Sequence, residues 1–339
     1  MSLPVPNLRK ICFSFLCLLT TPVLVLSAEK LPQEKAGTIG KPQGKIAFIR
    51  DGNVWIMQAS GANQEIICEV GNADGRLSWS PDGKVIVFTR SGKVDAQLPD
   101  NTGGRHKVYD IFLAYLDSAY ANKKLFWYRL TDDMGSRDPE WSTDGSQIIF
   151  WKDLNANLVN AYEPNYQICI MDPDGDNVKI LRKDWQTSVD SFLISPTMNA
   201  KGDIAFVGLF ARRPQGLAIA PKDKFTIPFD SIRAQVRKNS NCIAPSWSPD
   251  GKWLAYINND LKDGGLYIAT ADLKEKYIVF TPPPGVDLYT LAPSFSPDSK
   301  WLTFSTTDGS IWIVDITGNG ARRLSGPGTD KFPSWSKTP

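Results

Sequence analysis

The chain has 339 residues, 42% of them hydrophobic, with 11 Trp, 26 Gly and 24 Pro, which is material for one large packed domain and not for a disordered chain. Residues 1–28 hold two basic and no acidic residues, so the remainder balances 36 Lys plus Arg against 36 Asp plus Glu. A formally neutral surface lacks the broad positive field that nucleic-acid or anionic-membrane binding needs, and both partner classes are disfavoured.

At the N-terminus, Arg9 and Lys10 precede the apolar stretch ICFSFLCLLTTPVLVL, residues 11–26, and the small residues Ser27 and Ala28 follow. This is the tripartite form of a secretory signal, with cleavage expected near Ala28. The stretch falls short of the about 20 apolar residues a membrane helix needs and contains Pro22. Cys12 follows Ile11 and Cys17 follows Leu16, so neither has the small preceding residue of a lipid-modified cysteine. A periplasmic or secreted protein is expected, with no integral membrane segment after cleavage. Residues 29–43, EKLPQEKAGTIGKPQ, are polar with Pro and Gly and read as a flexible linker.

From residue 44 onward one short pattern keeps returning. SWSPDGK at 78–84 recurs as EWSTDGS at 140, SWSPDGK at 246 and SFSPDSK at 294. Its aromatic residue aligns Trp79, Trp141, Trp247, Phe295 and Trp335, and Ile194 takes the slot in a sixth, degenerate copy with a longer turn. Ser80, Pro81, Asp82 and Gly83 suit a tight reverse turn: Pro presets φ, Ser and Asp bond to backbone amides, and Gly accepts positive φ. Short β-branched and aromatic strands follow each turn, such as VIVFT at 85 and WLAYI at 253, then a third strand such as SIWIVD at 310 and a polar turn leading to a fourth. The fold class is therefore all-β: a six-bladed β-propeller of four-stranded antiparallel blades over residues 44–339. GKIAFIR at 44 has the character of a second strand with no inner strand before it, and KFPSWSK at 331 supplies the missing one. The ring is thus closed by the C-terminal strand joining the N-terminal blade.

PSWSPDGKWLAY, residues 245–256, resembles the repeat of TolB-type propellers, and the resemblance runs from residue 44 to the end. It implies a non-enzymatic envelope protein that docks a protein partner, a Pal-like envelope lipoprotein among the candidates. TolB carries an α/β domain before its propeller that has no counterpart here, so the resemblance extends to the propeller alone. A monomer is expected.

Strand direction puts the first-to-second and third-to-fourth connections on one face, where they are short. The opposite face receives the long segments at 91–107, 152–165, 221–241 and 281–291, and long loops on a rigid scaffold are the usual place for binding. The inner strands start on that face, so the channel mouth should be rimmed by Asp74, Arg76, Arg137, Asp138, Asp190, Asn241, Tyr289, Asp330 and Lys331. A polar funnel for a partner's loop is one reading; turn chemistry plus solvated ion pairs around a wet channel is the competing one.

Signals for catalysis are sparse. His106 is the only histidine and sits in a loop-like basic segment, and no G-x-S-x-G elbow or G-x-x-x-x-G-K-[ST] loop occurs. The chain's end is read as its last blade, so no attached hydrolase domain is expected. Cys68, Cys169 and Cys242 are too sparse for a disulfide framework and read as small buried apolar residues. DPDGDN at 172–177 starts like a calcium loop, but Asn177 stands where Gly is needed and Lys183 where Glu is needed, so it reads as a turn. Tyr162, Tyr166 and Tyr289 read as caps on their own loops rather than a sugar platform. No cofactor is expected. The alternative function is a hydrolase or lyase with a divalent cation, calcium being the candidate, held in the channel by Asp74, Asp138, Asp190 or Asp330.

Overall fold

Four of the repeated turns share one hydrogen-bond scheme, and it explains the motif. The serine hydroxyl donates to the aspartate two residues on: Ser80 to Asp82 at 2.6 Å, Ser142 to Asp144 at 2.7 Å, Ser248 to Asp250 at 2.7 Å and Ser296 to Asp298 at 2.6 Å. That carboxylate accepts the amide of Lys84, Ser146, Lys252 or Lys300. The serine oxygen accepts the amide that opens the next strand, at Val85, Gln147, Trp253 or Trp301. One Ser-x-Asp pair thus satisfies the donors that a hairpin end leaves orphaned. The amide and hydroxyl of Ser146, with the hydroxyl of Ser142, pull the Asp144 carboxyl down to about 2. Gly83, Gly145 and Gly251 close three of these turns at φ 72, 74 and 68, and Ser299 adopts φ 59 in the fourth.

The computed structural model describes residues 29–97, 103–116, 127–156, 165–181, 191–210, 213–221, 242–260, 263–289 and 291–338. Residues 1–28, which hold the expected signal, lie outside them, as do Asp190, Asn241 and Tyr162. Six antiparallel sheets follow in order. Blade I comprises Lys331–Trp335, Lys45–Arg50, Asn53–Gln58 and Glu65–Cys68; blade II Ala73–Trp79, Val85–Gln97, Gly103–Tyr115 and Trp127–Arg129; blade III Ser136–Trp141, Ile148–Asp153, Tyr166–Met171 and Lys179–Ile180. Blade IV has three described strands, Ser191–Met198, Asp203–Phe210 and Arg213–Pro221. Blade V comprises Cys242–Trp247, Trp253–Asn258, Gly265–Thr270 and Lys276–Phe280, and blade VI Ser294–Phe295, Trp301–Thr306, Ser310–Asp315 and Arg322–Ser325. Asp172 to Asn177 form the expected turn between the third and fourth strands of blade III, with the Gly175 amide on the Asp172 carbonyl.

The core lies between blades. Successive sheets trap apolar layers such as Ile49, Val54, Leu77, Trp79 and Phe88 between blades I and II, or Val87, Leu113, Trp141, Phe150 and Met171 between II and III. Cys68, Cys169 and Cys242 are buried in separate layers and form no disulfide with one another, and burial pushes the Cys68 and Cys169 thiols up to about 12.

The C-terminal strand pairs with the N-terminal one, Ile46 opposite Trp335 and Ala47 opposite Ser334. A bidentate ion pair locks the join: Arg50 Nε to Asp330 Oδ1 at 2.6 Å and Nη2 to Oδ2 at 2.7 Å. The Trp79 indole of blade II donates to the Ser334 carbonyl at 2.9 Å, tying the closing strand to its neighbour.

Three expectations change. The sixth repeat places Met198, not Ile194, in the aromatic slot: Met198 pairs with Ile204 as Trp79 pairs with Ile86. Its turn, closed by Asn199 N to Asp203 O, is shorter than that closed by Ser80 N to Val85 O. The segment from 91 to 107 is largely ladder, not loop. Pairing runs unbroken from Val85 opposite Tyr115 to Gln97 opposite Gly103, so a hairpin rises from the loop face by roughly 20 Å at about 3.3 Å per residue.

Residues 29–43 are a packed strap, not a flexible linker. Leu31 and Ala36 are buried with Tyr277, Val279, Val314 and Ile316, and Ile39 packs against the same layer. The strap crosses the turn face from blade V to blade I: Ile278 N to Glu29 O at 3.0 Å, Lys35 Nζ to Glu275 at 2.8 Å, Trp301 Nε1 to Gly40 O at 3.0 Å and Trp335 Nε1 to Gln43 O at 2.7 Å. Apolar residues every few positions, each facing an inter-blade seam, outweigh the polar composition.

Deleting Lys331 to Pro339 is expected to abolish a single cooperative unfolding transition, because it strips blade I of its inner strand; an unchanged melting curve would refute the closure. Deleting residues 29–43 from the mature chain should cost at least about 2 kcal/mol, the transfer value of one buried leucine. Urea titration measures it, and a flexible linker would leave the midpoint in place.

Candidate functional site

The site begins with a bulge. Five inner strands place one residue at positive φ a few positions before the aromatic slot: Gly75 at 99°, Asp138 at 53°, Ser195 at 52°, Ala244 at 57° and Phe332 at 57°. Strand pairing slips at the same places, which bends each strand toward the axis. Neighbouring blades satisfy the freed amides: Asp138 N donates to Thr89 Oγ1 at 2.9 Å and Phe332 N to Ser305 Oγ at 3.2 Å.

Below the bulge, the residue preceding each aromatic slot forms a ring about the channel: Ser78, Glu140, Thr197, Ser246, Ser294 and Ser334. Equivalent pairings fix their register, Ser78 with Val87, Glu140 with Ile149, Thr197 with Ala205, Ser246 with Ala255, Ser294 with Thr303 and Ser334 with Ala47. Small hydroxyls suit a place where six strands converge, and several stitch adjacent blades, as Ser78 Oγ accepts Trp141 N at 3.1 Å and Ser294 Oγ accepts Trp335 N at 2.9 Å. Glu140 is the exception.

Arg76 answers it. Blade II has Leu77 where the other five have Pro139, Pro196, Pro245, Pro293 and Pro333, and its positive-φ residue comes one place earlier. Arg76 therefore reaches across the channel to Glu140 Oε2 at 2.7 Å, Pro196 O at 2.9 Å and Pro245 O at 3.4 Å. Thr197 Oγ1 donates to the other Glu140 oxygen at 3.0 Å. One guanidinium pins blades II, III, IV and V, so Arg76 lies inside the channel and not on its rim.

Asp138 and Asp330 are also committed inward. Asp138 is buried and accepts Arg76 N at 2.9 Å and Trp151 Nε1 at 2.8 Å, while Asp330, also buried, serves the Arg50 lock. Tyr289 packs edge-on against Phe332, ring centres 5.4 Å apart.

The exposed part of the mouth is an arc over blades I to III. Asp74 bonds Lys331 Nζ at 3.0 Å and also Lys107 Nζ. Burial opposes the Asp74 charge, but the hydrogen bonds from the two lysines outweigh it and hold its pKa below the usual carboxylate range. Lys107 lies over Tyr109. Arg137 then stacks on both Tyr109 and Trp151, its guanidinium carbon 4.4 Å and 4.0 Å from the ring centres, and Tyr166 meets Trp151 edge-on. Its nearest carboxylate is Asp138 at 3.8 Å, each of whose oxygens already accepts another donor. Cation–π stacking holds the arginine plane without using its outward N–H groups.

Of the residues expected at the mouth, Asp74, Lys331 and Arg137 join this arc, with Asp138 beneath it; Arg76, Tyr289 and Asp330 do not. Glu140, Lys107, Tyr109, Trp151 and Lys337 were not singled out from sequence. Glu140 had a readable signal, the one acidic residue in a column of hydroxyls. Of the four carboxylates proposed for a cation, the three that are described, Asp74, Asp138 and Asp330, each face their own donors, and no group of three His, Cys, Asp or Glu suited to a metal occurs among the described residues.

No family model and no curated protein matches the chain. Solved structures do. TolB from Acinetobacter baumannii superposes with a TM-score of 0.63 at 18% identity over 90% of this chain and 69% of that one. A provisional TolB from Agrobacterium tumefaciens gives 0.58 at 11% identity over 88% and 92%. A chain of a nidogen/laminin complex gives 0.54 at 11% identity over 86% and 97%. At such identities the likeness shows the fold: a six-bladed propeller of the kind found in TolB.

Replacing Arg76 by Leu should destabilise the protein by about 3–5 kcal/mol, since Glu140 is left as an uncompensated buried charge. Adding Glu140→Ser, which completes the hydroxyl ring, should restore more than half of that loss. Chemical denaturation of the two single variants and the double variant measures the coupling; strictly additive losses would show that the pair is not the channel's pin.

Proposed function

We propose that the protein is an exported, non-enzymatic interaction propeller that receives an acidic segment of a partner protein at the mouth arc of blades I to III. The observation that carries this reading is Arg137, stacked between Tyr109 and Trp151 with no hydrogen bond to its guanidinium among the described residues. Around it three cations, Lys331, Lys107 and Arg137, stand against one half-buried carboxylate, Asp74. A preorganised arginine on aromatic supports is the kind of group that dominates binding energy at protein interfaces. Tyr109, one of its two supports, belongs to the long ladder of blade II.

The fold shared with TolB structures supports an envelope role by analogy, and a Pal-type envelope lipoprotein is the partner that the sequence resemblance supplies. Export rests on the tripartite N-terminal segment; among the described residues no helix is long and apolar enough to cross a membrane.

Mature protein carrying Arg137→Ala together with Lys107→Ala should capture its envelope partner at least tenfold more weakly than wild type, a loss of about 1.4 kcal/mol. Lys84→Ala, on the opposite turn face, should capture it as wild type does. Quantitative pull-down from envelope extract followed by titration with the recovered partner decides the matter. Equal affinity of all three proteins would remove the arc from the interface.

A further inference from the structure

At the Arg76 pin the channel holds a small chamber, whose polar lining is Arg76 and Glu140 together with Ser78, Ser246, Ser294, Ser334 and Lys337. Its volume is about 20 Å³, enough for one or two water-sized species. The backbone around Lys337 is fixed, since Ser336 N donates to Lys45 O at 2.8 Å and Ser336 Oγ to Thr338 O at 2.7 Å. That hold keeps the lysine directed into the channel.

The charges in this space do not cancel. Arg76 is neutralised by Glu140, whose other oxygen is taken by Thr197. Lys337 has neither an ion pair nor a hydrogen bond among the described residues. Burial pushes its ammonium pKa down, Glu140 partly opposes that and Arg76 adds to it. The hydroxyls are also short of acceptors. Ser78 Oγ and Ser294 Oγ each already accept a backbone amide, which leaves their O–H protons to be donated. With Arg76 and Glu140 paired to each other, the lining keeps one positive charge in excess and two hydroxyl donors, which ask for a species that only accepts.

We propose that the chamber binds one small inorganic anion of chloride size, held by Lys337 Nζ and by the hydroxyls of Ser78 and Ser294. The anion would complete the charge balance of the axis and stabilise the ring from within, because it binds the folded state alone. Organic anions such as gluconate are too large to enter.

The test uses the mature chain, residues 29–339, at constant sodium concentration while gluconate is exchanged for chloride. Wild type should show a saturable rise in melting temperature of a few degrees. Lys337→Met should show none and should melt no lower than wild type in gluconate, since an ammonium without an ion pair among the described residues has been replaced by an apolar chain of similar length. Bromide-soaked wild-type crystals should give an anomalous peak in the chamber at contact distance from Lys337 Nζ. Identical melting of wild type in the two salts, a chloride response retained by Lys337→Met, or bromide found only at the outer surface would each overturn the proposal. Should the variant fail to fold, the wild-type bromide map decides alone.

Discussion

Six inner strands must reach one axis with their backbone donors satisfied, and this crowding constraint shapes everything nearer the centre. Strands that ran straight would collide or leave amides buried without partners, at a cost of several kcal/mol. The bulge at Gly75, Asp138, Ser195, Ala244 and Phe332 is the recurring solution. It accepts a left-handed backbone, worth about 1–2 kcal/mol against each non-glycine residue, in return for turning the strand. Prolines beside the bulge remove a donor that would otherwise need a partner, and hydroxyls from the next blade take the donors that remain.

Against that background the Arg76–Glu140 pair is a consistent exception. A glutamate in the hydroxyl ring would be intolerable alone, and an arginine at the bulge would have nowhere to go if blade II carried the proline of the other five. The two departures occur in adjacent blades and cancel in charge. The guanidinium also ties four blades at once, through Glu140 of blade III and the carbonyls of Pro196 and Pro245 in blades IV and V.

The sequence made the repeating turn legible because its chemistry is local. A serine, an aspartate two residues later and a glycine or its stand-in suffice to define it, as Ser80, Asp82 and Gly83 show. Ring closure was equally legible, since Lys331–Trp335 repeats an inner strand that the N-terminus lacks. Long-range packing was not. Residues 29–43 are polar in composition, and only the seams they cross make Leu31 and Ile39 core residues. Ile194 reads as the slot because Met198, a flexible, unbranched residue, fills a site that elsewhere holds an aromatic ring. The 91–107 segment has few of the alternating apolar residues that mark a half-buried strand, yet its backbone ladder simply continues from the blade below it.

Two arginines show why the candidate site could be outlined but not resolved from sequence. Arg76 stands three residues before its aromatic slot and Arg137 four, and by residue type alone nothing separates them. A one-residue offset in the bulge sends Arg76 down into the channel, where carbonyls and Glu140 consume its donors. The same offset is absent in blade III, where the left-handed residue is Asp138 itself. Its carboxylate turns inward to Arg76 N and the Trp151 indole, and Arg137 is left on the outer side between two rings. Whether a charged residue at this level holds the scaffold together or faces a partner is thus decided by where the backbone bulges, a property carried by the whole ring and not by the residue.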